Sequence, residues 1–174
     1  MSGQSSALAK LANFVDKIST AVNKFTHSIS GVLLFFIMCL TVVDVCGRAF
    51  FNSPITGTVD MTKLSIAIII FFSLGFTQMK GEHLEIDFIT SKFSKRAEAL
   101  YLALLNFVMC IVIALLAWQM FIYGLNTSPG EFSGDFRLIP LKVIIILVAF
   151  GALTFTISYL STALKYLLKV VENK

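Results

Sequence analysis

The chain is poor in charge. Of its 174 residues, 14 are Lys or Arg and 10 are Asp or Glu, so 14% are charged, against about a quarter in an ordinary soluble domain. With 57% hydrophobic residues and a mean hydropathy of +0.86, its solvent is lipid. Cysteine is scarce too: Cys39, Cys46 and Cys110 form no C-x-x-C pair, which excludes a membrane thiol oxidase and leaves them as packing residues. No G-x-x-x-x-G-K-[ST], H-E-x-x-H or nucleophile elbow occurs, so motif-bearing hydrolases and nucleotide-driven pumps lack support. No enzyme activity, cofactor or metal site is expected.

What is present is apolar length. A helix needs roughly 20 residues to cross the ~30 Å hydrocarbon core, and four stretches qualify: 28–51, 59–79, 98–123 and 138–165. A Pro54/Gly57 turn separates the first two, and residues 80–97 form the longer loop. Trp118, Tyr101 and Tyr123 suit the interfacial belts. A cleaved signal peptide is the competing reading of the first stretch, but its apolar core exceeds the ~7–15 residues of such a segment.

Positive residues are held back on the cytoplasmic side during insertion. Lys10, Lys17, Lys24, Lys80, Lys92, Lys95, Arg96, Lys165, Lys169 and Lys174 fall on one side, and only Arg48, Lys63, Arg137 and Lys142 on the other. Both termini are therefore expected in the cytoplasm. The net charge of +4 and pI near 9.0 come from juxtamembrane residues with no aromatic-plus-basic stripe, which points to anionic lipid rather than nucleic acid.

Before the first span, Leu8, Leu11, Val15, Ile18, Val22 and Phe25 recur at helical spacing, while Lys10, Lys17 and Lys24 repeat every seven residues. This predicts an amphipathic helix over 6–27, lying in the interface with its lysines at headgroups; the alternative is a helix packed on a partner. The expected fold is thus an all-α integral membrane protein, with four transmembrane helices plus an N-terminal interfacial helix, and both ends inside.

Ionisable groups at membrane depth need partners, because each costs ~2.5–3.5 kcal/mol on insertion scales. Asp44 and Arg48 lie four apart on one helix, Asp60 and Lys63 three apart on the next. They form either a neutral clasp near the outer surface or a proton or ion relay. A second group, Lys80, Glu82, His83, Glu85 and Asp87, alternates with Leu84, Ile86 and Phe88. His83 with Glu85 and Asp87 has metal-ligating residue types at a spacing that matches no specific site.

Arg48, the Pro54-Ile55-x-Gly57-Thr58 turn, Asp60, Gly75, the Lys80-x-x-His83-Leu84-x-Ile86-Asp87 run and Pro140 together resemble the small, DctQ-like membrane subunit of tripartite ATP-independent periplasmic (TRAP) transporters. The resemblance covers roughly residues 28 to 165, and departs from the family where Glu is commoner than Asp60 and an aromatic commoner than Gly57. It implies a heterodimer with a large membrane subunit that carries the substrate and sodium sites, fed by a periplasmic substrate-binding protein. The cargo would be an organic acid, of the sialic acid or C4-dicarboxylate type, and this chain a scaffold. The rival classes are a self-contained channel or exchanger built on the Asp44/Arg48/Asp60/Lys63 group and a four-span membrane redox enzyme.

Overall fold

Only a helix or a closed barrel satisfies its own backbone polar groups in hydrocarbon, and the computed structural model of this chain is helical. It describes residues 2–53, 55–80, 95–128 and 140–172. The elements are α1 (Ser2–Phe51), α2 (Thr58–Lys80), α3 (Lys95–Asn126) and α4 (Leu141–Glu172). Each contains a stretch long and apolar enough to cross a membrane.

The helix ends carry local signals. At the end of α1, Asn52 takes a left-handed conformation (φ 49°) and the Ser53 N–H reaches back to the Gly47 carbonyl, 3.2 Å away, a common way to stop a helix. Gly57 supplies the second left-handed residue of the turn (φ 87°). Pro140 stands just before α4, where a proline costs no hydrogen bond, and its carbonyl accepts the Val143 N–H at 3.1 Å.

Contacts set the directions. Ser30 meets Ser73, Asp16 meets Lys165 and Cys110 meets the Thr156 carbonyl, so α1 and α3 run one way, α2 and α4 the other. The beginning of α1 and the end of α4 share one end of the bundle. The hub is α4, packed on all three other helices: half of its most apolar stretch is buried, against 17% for each of the others. Close approach of α2 to α4 depends on Gly151, where an added Cβ would sit 2.9 Å from the Phe71 Cβ and 3.0 Å from its backbone carbon.

The interior changes character along its length. Toward the turn end it is apolar: Ile68, Phe72, Ile144 and Val148 are buried, with Leu33 and Met120 packed against them. Toward the termini small and polar side chains pack beside the buried Phe155 and Tyr159, with Ser19, Asn23 and Thr26 completely buried and Ser158 1% exposed.

The amphipathic helix expected over 6–27 is not a separate element. It is the first part of α1, which runs through residue 28 without a break for 50 residues, about 75 Å. Lys80 and residues 95–97, expected in the loop, are helical. Cys39 and Cys46, expected to pack inside, are exposed on α1; Cys110 is half-buried.

Candidate functional site

At the turn end, Asp44 is 5% exposed and uses both carboxylate oxygens. Oδ2 pairs with Arg48 Nη2 at 2.7 Å, and Oδ1 accepts the Ile55 backbone N–H at 2.8 Å. The buried Thr58 closes the same turn, its hydroxyl donating to the Ile55 carbonyl at 3.0 Å. Asp44 thus fastens α1 to the segment leading into α2, while the Arg48 side chain is 52% exposed and able to extend toward the interface. Of the four charges grouped from sequence, only Asp44 and Arg48 pair with each other. Asp60 stands in the first turn of α2, where the helix dipole favours an anion, and Lys63 is exposed.

At the termini end the contacts are finer. Asn23 Nδ2 donates to the Ser19 carbonyl (2.7 Å) and to Ser158 Oγ (2.7 Å). Ser158 donates in turn to the Thr154 carbonyl (3.2 Å), so it is the Ser19 hydroxyl that donates across the 3.4 Å Ser19–Ser158 contact. One turn on, Asp16 Oδ1 takes Lys165 Nζ (2.6 Å) and Ser161 Oγ (3.0 Å). Asn23 Oδ1 has no N–H or O–H partner among the described residues; it lies against Gly75, where an added Cβ would collide with it, a close approach of the kind that Cα–H···O contacts use. Gln78 donates to Asn106 Oδ1 (3.0 Å), binding α2 to α3. His27 stacks on Phe76 (centroids 4.2 Å apart), and Lys80 Nζ lies 5.1 Å from the same ring.

Sequence reasoning missed this seam. Ala12, Asp16, Ser19, Asn23, Thr26 and Ser30 alternate in steps of four and three, a small-polar helical stripe of the kind that packs helices in lipid. The lysine stripe seen from sequence faces outward, with Lys10, Lys17 and Lys24 exposed; of the apolar stripe, Ile18 and Phe25 are exposed and Val15 and Val22 half-buried. Lys142, assigned only to an outer flank, caps α3 by donating to the Leu125 carbonyl at 3.2 Å. Pro54, His83 and Asp87 lie outside the described residues, as do Glu82 and Glu85. No group of three His, Cys, Asp or Glu that could hold a metal occurs among the described residues.

An all-helical bundle with four candidate spans and inter-helix polar clasps defines a multi-pass membrane protein. The chain belongs to the family of the DctQ component of tripartite ATP-independent periplasmic transporters, whose model matches residues 37–168. Neither a curated protein nor a solved structure matches it.

Proposed function

We propose that this chain is the scaffold subunit of a sodium-coupled TRAP transporter in a bacterial inner membrane, holding a larger transport subunit that receives an organic acid from a periplasmic binding protein. The observation that carries the reading is the filled bundle axis. Ala117, Ala149 and Ala152 are fully buried and Ser158 nearly so, so α4 is locked to its neighbours by small side chains. Such an axis suits a frame rather than a conduit.

The charge distribution supports the same role. The buried Asp44 is engaged by Arg48 and the Ile55 N–H, which is what a clasp requires. Meanwhile α1, α2 and α3 leave most of their most apolar stretches uncovered within the chain, ample surface for lipid and for a large subunit. The cargo, sialic acid or a C4-dicarboxylate, is set by that larger subunit and the binding protein.

Expressed with its neighbouring genes, the chain should copurify with a large polytopic protein, and sodium-driven uptake of the acid should vanish when either is deleted. Uptake by this chain alone in liposomes would sink the scaffold reading and favour a self-contained channel.

A further inference from the structure

The shortest helix fixes the depth of the others. At 23 residues, α2 is about 34 Å long, only slightly more than the ~30 Å hydrocarbon core. Its last residue, Lys80, therefore stands at the level of lipid phosphates on the side of the termini. His27 of α1 stacks on Phe76, one turn (~6 Å) deeper than Lys80 along α2, whose ammonium reaches back to the same ring, and Lys24, one turn nearer the termini, returns to about the level of Lys80.

These three groups lack an anionic partner among the described residues, unlike Arg48 and Lys165, which are paired. The stack uses the faces of the His27 ring and leaves its nitrogens at the edge, on an exposed residue. Toward the bilayer centre, the same face of α1 is apolar and open. His27, Gly31, Leu34, Met38 and Val42 follow one another in helical steps, and a Cβ at Gly31 would meet nothing within 4 Å. Beyond it lies a shallow, open apolar groove along α1 alone, lined by Leu34, Ile37, Met38, Thr41 and Val42. Residues 31 to 42 rise about 16 Å, the depth of one leaflet, half the ~30 Å core.

We propose that Lys24, His27 and Lys80 bind the phosphate of an anionic phospholipid whose acyl chain lies along α1 from Gly31 into the groove at Leu34–Val42. Charge complementarity selects the headgroup, and the length of the open apolar face from Gly31 to Val42, about one leaflet, selects a lipid over a peptide or a free ion. The Phe76 ring holds the Lys80 ammonium in place by cation–π attraction, so two helices present the cations together.

Native mass spectrometry of the full-length chain, incubated with phosphatidylglycerol or phosphatidylcholine, tests the site. The unchanged chain should retain phosphatidylglycerol preferentially. Lys24→Gln with Lys80→Gln should lower that retention about fivefold per charge removed, leaving phosphatidylcholine unaffected. Met38→Trp, at a position 55% exposed, should fill the groove and weaken retention of both lipids, and a photoreactive acyl chain should label residues 31–42. Undiminished phosphatidylglycerol retention by the double lysine variant would overturn the proposal. So would labelling outside that segment, or displacement of the lipid by inorganic phosphate alone.

Discussion

Asp44 and Arg48 look symmetrical in the sequence and are not so in the structure. The carboxylate is buried and joins two segments; the guanidinium is half in the open. What Asp44 does that Arg48 cannot is accept the Ile55 N–H, and a hydrogen bond to a charged group contributes about 1.5–3 kcal/mol. Asp44→Ala should therefore lower stability by about that amount, while Asp44→Asn, which keeps an oxygen for Ile55, should cost less; thermal unfolding in detergent reads the difference. Equal losses would assign the whole effect to the ion pair. Arg48→Ala leaves a buried carboxylate short of its cation and should weaken assembly with a larger subunit more than Asp44→Asn does.

Among the elements, α1 is where sequence pattern and packing diverge. Its first half carries two stripes of helical period, one apolar and one small and polar, and the small polar one meets α4. In water the larger apolar stripe would be buried; in lipid, apolar side chains gain little by leaving one apolar solvent for another, and close packing with hydrogen bonds decides instead. The contact point is Asn23 against Gly75, an approach that tolerates no methyl group because the Asn23 amide is pinned by Ser19 and Ser158. Gly75→Ala should destabilise the chain by about 1–3 kcal/mol. Adding Asn23→Ala should recover part of that loss, which a double-mutant cycle measures as coupling; strictly additive losses would place the strain elsewhere. No such rescue is open at Gly151, where the neighbour is the backbone of α2.

For the whole molecule, antiparallel packing puts both termini at one end, since Asp16 near the start of α1 pairs with Lys165 near the end of α4. Charge asymmetry suggests the side: by sequence, ten basic residues flank that end or the loop beside it and four lie toward the other, and from the positive-inside tendency we propose that the termini are cytoplasmic. A cysteine at Lys10 in a chain cleared of native cysteines should resist a membrane-impermeant thiol reagent in intact cells and react in inverted vesicles, and one at Ser53 should do the reverse. Labelling of both positions from the same side would contradict a four-span arrangement, and an exchange of the two patterns would invert the orientation.

The presence of four helices apolar enough to cross a membrane was legible in the sequence because apolar length is a local quantity, read one segment at a time. The pairing of Asp44 with Arg48 was legible for the same reason, being a contact within one helix. Everything that depends on which side of a helix meets another was not. Spans three and four are apolar nearly all round, so nothing local marks α4 as the hub. The roles of Asp16, Asn23 and Gln78 depend on partners 28 to 149 residues away in sequence. A span's existence depends on its own transfer into lipid, which composition determines; its neighbours depend on shape and hydrogen bonding between surfaces that only the tertiary structure brings together.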